Sequence, residues 1–418
     1  MTSQFIIIMY FIVFSVQILL ENTLQYLNLN FARKNGGKIP DFMIGIYSEE
    51  EYGKSVSYTT EKGILSIIRS LFYFIAVTSI ILSGILGIVD IALSGLLGNG
   101  IPMKILYVLM TGLLFYLIGL PFNLYGQFVT EKKYGFSTIT PGVWIADQIK
   151  LLIMSAVIGS LLLTGVFVFM SSAGPLWWIY AYISYAFIQI IIIFLYPVLI
   201  APLFNKYTPM NQGPLKDRLI SLTDRLQFPV KGLFVMDGSK RSKHSNAQFT
   251  GFGRNKRIIL FDTLLDQLNA DELESVLAHE IGHYKKRHII FSLVFSLFII
   301  LCGFLAIDFF RDFDPLYRAF GIPVSSDHTL IVILIFFSSP FTFLLTPLLS
   351  VLSRHFEYQA DGFAAGSLVT GNSLISALRK LAAKNLSNLM PHKAFSFFYY
   401  THPSLRERIL RLQKAEQT

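Results

Sequence analysis

Cysteine is almost missing from this chain: Cys302 is the single one in 418 residues. It lies inside an apolar run, which excludes a disulfide framework and a cysteine-based metal site. Charge is scarce as well. Charged residues make up 15% of the sequence, against about 25% in ordinary soluble domains, and hydrophobic residues reach 53%. The deficit falls in long apolar runs, so a length that could hold two or three soluble domains is mostly membrane. No internal repeat or low-complexity tract is present. The N-terminus lacks the positive stretch and the small-residue cleavage site of a signal peptide, so Phe5 to Leu20 reads as a retained first span. The net charge of +9 comes without a basic–aromatic nucleic-acid motif. It is read as loops beside anionic lipid, with the bilayer as partner and no nucleic acid.

What is there begins with the apolar runs. A crossing helix needs about 20 mostly apolar residues, and seven segments supply them: 5–25, 64–97, 102–126, 143–170, 175–203, 289–309 and 328–352. The second is long enough to tilt or protrude. An odd number of spans puts the polar stretch 204–288 and the tail 353–418 on one side of the membrane. All of the 35 Lys and Arg except Lys104, Arg311 and Arg318 fall in the loops and span ends of that side, which makes it cytoplasmic. The N-terminus is then outside. The chain divides into residues 1–203 with five spans, 204–288 as a first protease segment, 289–352 with two spans, and 353–418 as a second protease segment. Within 204–288, Gly232 to Met236 reads as a strand. Ala247 to Thr250 and Arg257 to Phe261 read as a strand pair joined through Gly251, Gly253 and Asn255. Asn269 reads as the N-cap of a helix that runs to about 288 and directly into the sixth span.

That helix carries His279-Glu280-Ile281-Gly282-His283. Two histidines four apart on a helix face the same way and can share one Zn²⁺. The glutamate between them is placed to act as general base on a metal-activated water and then as acid to the leaving amine. A zinc hydrolase needs a third protein ligand. Glu357 is the best candidate, with Asp361 four residues on to accept a hydrogen bond from a ligand histidine. The H-E-x-x-H string recurs by chance and E-x-x-x-D has little weight alone; flanked by spans, the two together point to a zinc site. His402 is a candidate oxyanion donor. His288, five residues past His283, is expected to turn off the metal face toward the membrane edge, and His355 to face elsewhere. His244, His328 and His392 are read as solvated loop histidines, and Asp90, Asp147 and Lys150 as interfacial charges.

These residues resemble the type I CAAX prenyl protease family, the integral-membrane zinc metalloproteases. The resemblance spans nearly the whole chain. It includes Glu51-Tyr-Gly-Lys54 with Tyr58, Glu131-Lys-Lys-Tyr-Gly-Phe136 with Thr140 and Asp147, and Pro202-Leu-Phe-Asn-Lys-Tyr-Thr-Pro209. It continues through Ser245-Asn-Ala-Gln-Phe249 and Lys256-Arg-Ile-Ile-Leu-Phe-Asp-Thr-Leu-Leu265 to Glu357, Asp361 and His402-Pro403. It implies a mainly α, polytopic membrane protein, with seven transmembrane helices enclosing a chamber and a small gluzincin-type protease domain carrying a short β-sheet. It implies one zinc per chain, held by His279, His283 and Glu357, with Glu280 and His402 catalytic and Asp361 behind the ligands. Asn246, Arg408 and Arg354 are implied on the substrate side: Asn246 holding the peptide backbone beside an edge strand, Arg354 ordering the site. A chain that ends soon after Arg408 without a retention signal suits a bacterial homologue in the cytoplasmic membrane; in a eukaryote the location would be the endoplasmic reticulum.

The expected activity is endoproteolysis near the cytoplasmic face, with a C-terminal prenylated CAAX peptide as the family-type substrate. The runner-up is a quality-control protease for misfolded or translocon-clogging membrane proteins. A transporter or scaffold with a vestigial site is the reading of another class, and the intact Glu280 argues against it.

Overall fold

The computed structural model describes residues 2–250, 256–367 and 371–416. The chain begins with α1 (Ser3–Lys34), α2 (Glu49–Leu82), α3 (Ile85–Leu97) and α4 (Ile101–Tyr125). A π turn at Gly126–Thr130 carries α4 into the short α5 (Glu131–Lys133), and α6 (Pro141–Ser172) and α7 (Trp177–Leu195) follow. Next come β1 (Tyr207–Pro209), α8 (Pro214–Arg225), β2 (Gly232–Met236), β3 (Ala247–Thr250) and β4 (Arg257–Phe261). The remainder is helical: α9 (Asp262–Gln267), α10 (Ala270–Lys285), α11 (His288–Phe310), α12 (Asp314–Ala319), α13 (Asp327–Ser367), α14 (Asn372–Lys384), α15 (Lys393–Tyr399) and α16 (Leu405–Glu416).

Among the described residues seven helical segments are long and apolar enough to cross a membrane: Ser3–Lys34, Glu49–Leu82, Ile101–Lys133, Pro141–Ser172, Gly174–Leu203, His288–Phe310 and Asp327–Ser367. Their outer faces expose Val157, Leu161, Phe187 and Phe298, the surface that lipid requires. Tyr10, Phe14, Tyr107 and Phe336 of their inner faces meet Tyr317 and Phe320, in and just after α12, in one aromatic seam. The second span departs from expectation. A capping box between Ser48 and Glu51 starts α2 well before residue 64, and Gly84, at φ 66°, breaks the run. The residues expected to protrude form α3, a separate helix of 13 residues, too short to cross.

The polar segments form one body. The sheet has the order β1-β2-β4-β3, with β2 and β4 parallel and the outer pairs antiparallel. All three expected strands are present. β1 is an addition that a stretch containing Pro209 does not announce. The turn expected through Gly251, Gly253 and Asn255 lies outside the described residues. One core joins Leu219 and Leu222 of α8, Ile258 and Leu260 of β4, and Leu273 and Leu277 of α10 to Leu374 of α14 and Ile409 of α16. Segments separated by two spans thus fold together at one end of the bundle.

Helix α10 is fixed at its start. The Asn269 side chain accepts from Glu272 N and the Glu272 carboxylate accepts from Asn269 N, a reciprocal cap of the kind that stabilises by about 1 kcal/mol. Glu272 also accepts from Ser376 and Lys380 of α14 at 2.6 and 2.9 Å. The far end corrects the sequence reading. Instead of continuing into the sixth span, α10 stops at Lys285, and Arg287 adopts a left-handed φ of 60° before α11 restarts at His288.

Candidate active site

The metal motif sits where α10 crosses α13, and the crossing is close. A Cβ on Gly282 would lie 3.1 Å from Ala360 Cα and 3.2 Å from Ala360 O. The glycine of H-E-x-x-H therefore lets the two backbones approach, and that approach sets the distance from the histidines on α10 to Glu357 on α13. His279 Nε2 and His283 Nε2 are 3.2 Å apart. Glu357 Oε2 lies 3.4 Å from the first and Oε1 3.3 Å from the second.

This group fits a metal cation. Donor atoms of His279, His283 and Glu357 all lie within 4.8 Å of one another, and two imidazoles with one carboxylate are a donor set zinc hydrolases use. Two facing imidazole nitrogens need a proton or a cation between them. Glu357 Oε2 is buried without a hydrogen-bond partner, an orphaned acceptor of the kind a cation satisfies. The local field has the same sign. Burial opposes a charged His279, yet the hydrogen bonds to Asp361 and Glu357 outweigh it and push the imidazole pKa up to about 9. The same carboxylates favour a metal cation in place of that proton.

Behind the ligands, Asp361 Oδ1 lies 2.9 Å from His279 Nδ1. Arg408 donates to both Asp361 oxygens, from Nε at 2.9 Å and from Nη2 at 2.6 Å. Its Nη1 is 3.7 Å from Glu357 Oε2. Glu357 and Asp361, one turn apart on α13, would repel each other, and the buried guanidinium of Arg408 between them compensates both. Glu280 lies between the two histidines on α10. It lines a small apolar pocket with Ala247, Gln248 and Phe249 of β3, and burial raises its carboxyl pKa above the ordinary range.

Of the remaining expected residues, His402 joins the group, its Nε2 3.3 Å from Glu357 Oε1. Asn246 stands at the head of β3, with its Oδ1 accepting from Ala247 N at 2.9 Å and its backbone O accepting from Phe261 N. Arg354, one turn before Glu357, donates to the carbonyls of Ser396 and Tyr400 at 3.1 and 2.6 Å. It anchors the segment that leads to His402.

Several histidines were misread from spacing. His288 is buried, stacked on Phe356, with Nδ1 3.0 Å from His283 Nδ1 and Nε2 2.9 Å from Gln359 Oε1. The left-handed Arg287 turns the chain back, so the helical rotation that placed His288 off the metal face does not apply. His355 extends the row, at 2.8 Å from Gln359 Nε2. His244 is no solvated loop residue: it lies between Asn385 and Glu131 at 2.9 and 3.1 Å and stacks on Phe136. His328 is buried at 2.6 Å from Asp90, and His392 caps α15. Asp147 takes both arms of Arg241.

Two histidines and a glutamate that fit one cation, a second glutamate beside them, and a span helix, α13, that carries one half of the site define a membrane-anchored metalloprotease. Comparison with known proteins agrees. Residues 28–206 match the family model for the CAAX prenyl protease N-terminal region with five membrane helices, and residues 209–416 match Peptidase family M48. The chain is 38% identical to CAAX prenyl protease 1 of Saccharomyces cerevisiae over 71% of this chain and 69% of that one. It is 35% identical to the CAAX prenyl protease 1 homolog of Arabidopsis thaliana, over 89% of each. The crystal structure of S. mikatae Ste24p superposes with a TM-score of 0.90 at 30% identity, covering 97% of this chain and 98% of that one. The chain belongs to the CAAX prenyl protease branch of peptidase family M48 and is a multi-pass membrane metalloendopeptidase.

Proposed function

We propose that the chain binds one zinc ion through His279, His283 and Glu357 and hydrolyses peptides that end in a prenylated CAAX sequence, on the cytoplasmic side of its membrane. The observation that carries this is the meeting of the three donor atoms within 4.8 Å beside Glu280. In this reading residues 1–203 and 289–352 form the membrane part, and 204–288 with 353–418 form the peptidase. Zinc, when bound, supplies Lewis acidity and lowers the pKa of water toward neutrality.

The protein's own groups do the rest. Glu280 takes a proton from the attacking water and returns it to the leaving amine, and its raised pKa suits both roles. Asp361 fixes the tautomer of His279, and Arg408 holds Asp361 in place. His402 donates to the developing oxyanion, on a segment kept in register by Arg354. β3 is an edge strand lying against Glu280, so an extended peptide adds to it as a further strand, with Asn246 at its head. The cytoplasmic orientation rests on the loop charges.

The test is metal analysis combined with cleavage of a farnesylated CAAX peptide by purified protein. The expected result is one zinc per chain, with hydrolysis abolished by Glu280→Gln while zinc is retained. Full activity in that variant would refute the assignment.

A further inference from the structure

A cavity of about 820 Å³ opens beside the metal group. His402 and Arg408 line it, together with Tyr58, Lys62 and Ser66 of α2. Those three α2 residues recur every four positions and so share a helix face. Among the described residues lining the cavity none is Asp or Glu; its other polar groups include Asn28, Asn385 and Asn388. Arg408 is committed to Asp361, which leaves Lys62 as the reachable cation.

Lys62 is positioned without being used up. Its Nζ donates to Tyr58 Oη at 3.0 Å and lies 3.3 Å from Glu131 Oε1. That carboxylate is itself shared with the Tyr58 hydroxyl at 2.6 Å and with His244 at 3.1 Å. An ammonium has three donors, and the Lys62 side chain remains 52% exposed. The neighbours hold the ammonium at the cavity wall through two of its three donors, and the side chain stays half exposed.

Resting on the peptidase reading above, we infer that Lys62 binds the free C-terminal carboxylate of the substrate. The enzyme then reads the end of a peptide chain, and not merely an internal sequence. The described lining holds no carboxylate, and the one beside Lys62, Glu131, is shared with Tyr58 and His244, so the ammonium can take an anionic terminus while the amide side chains bond the last peptide groups.

The experiment uses the full-length zinc-loaded protein and one farnesylated CAAX peptide in two forms, C-terminal acid and C-terminal amide. A hydrogen bond to a charged group predicts a kcat/KM roughly 10- to 100-fold higher for the acid, carried by KM. Lys62→Gln should bring the acid-to-amide ratio close to one, and Lys62→Arg should keep it. Arg69→Gln, in the adjoining cavity that shares Ser66 and also holds Glu21, should leave the ratio intact. A wild-type ratio near one overturns the subsite and leaves the peptidase reading standing. A ratio that survives Lys62→Gln, or that collapses in Arg69→Gln, also overturns it. Cleavage of neither peptide removes the peptidase reading and this subsite together.

Discussion

Replacing His288 by Phe should weaken zinc binding without unfolding the site. The ring of His288 stacks on Phe356 with centroids 4.2 Å apart and planes 13° from parallel, so phenylalanine keeps the stack and removes the two nitrogens. What is lost is the contact to His283 Nδ1 at 3.0 Å. A net neutral hydrogen bond contributes about 0.5–1.5 kcal/mol. Partners of metal ligands change metal affinity by about 10- to 100-fold because they fix the tautomer. The two ranges overlap near a tenfold loss, about 1.4 kcal/mol. Gln359 also loses a partner, but it is only half-buried and its amide nitrogen still meets His355, so the cost should stay in that range. Asp361→Asn provides the scale. It removes a charged partner of His279 and leaves the buried Arg408 without its carboxylate, so it should lose more zinc affinity and several kcal/mol of stability. The assay is competition for zinc against a chelator of known affinity, with a melting curve for each variant. A His288→Phe zinc Kd within twofold of wild type, with Asp361→Asn strongly impaired, would refute the argument that His288 holds His283.

Glu280→Gln should retain zinc and lower kcat by roughly 10²- to 10⁴-fold, the usual range for a general acid–base group; metal analysis beside a peptide assay checks both halves. Gly282→Ala should push α10 from α13, since its Cβ would lie 3.1 Å from Ala360 Cα. It should cost about 1–3 kcal/mol and weaken zinc binding, read by calorimetry and chelator competition. For Glu272, burial alone would raise the pKa, but the bonds from Lys380, Ser376 and Asn269 hold it below the ordinary 4.5. A depressed carboxylate contributes stability above its unfolded pKa and loses it as pH falls through the folded value. The melting temperature should therefore drop on acidification below about pH 4.5, and Glu272→Gln should flatten that dependence; equal slopes for both proteins would contradict it.

The parts of this fold legible in the sequence are those set by local composition. Seven apolar runs, three strands of β-branched and aromatic residues, and the Asn269 cap each carry their signal within a few neighbouring residues. What was not legible depends on single backbone angles and on long-range contacts. The rotation argument that turned His288 away was sound for a continuous helix, and it failed because one residue, Arg287, leaves the helical region. Lys285-Lys286-Arg287 suits the last turn of a helix in charge, but it offers no Gly, Asn or Pro to mark where the helix stops. His328 was read as a solvated loop histidine; its partner Asp90 lies 238 positions earlier in the chain, beyond any local pattern. A charge near a span end that recurs with a histidine near another span end was the available clue. Lys62 lay in a basic loop with no local distinction, and only the cavity shared with His402 gives it a direction.

The break at Arg287 also means that the metal helix and the sixth span are two helices and not one rod. Were α10 and α11 one rod, any tilt of the sixth span would swing His279 and His283 relative to Glu357. The left-handed joint ends α10 before that span, although His288 at the head of α11 still meets His283 Nδ1 at 3.0 Å. Instead α10 is tied to soluble elements by its cap on Asn269, by Ser376 and Lys380 of α14 and by the core shared with the sheet. Glu357 has no such joint, since α13 runs unbroken from the seventh span through the site. What fixes the two halves against each other is the Gly282 crossing together with Arg408, which reaches from α16 to Asp361 and Glu357. The metal group is therefore carried directly by the seventh span through Glu357 on α13, and it meets the sixth through His288 beside His283.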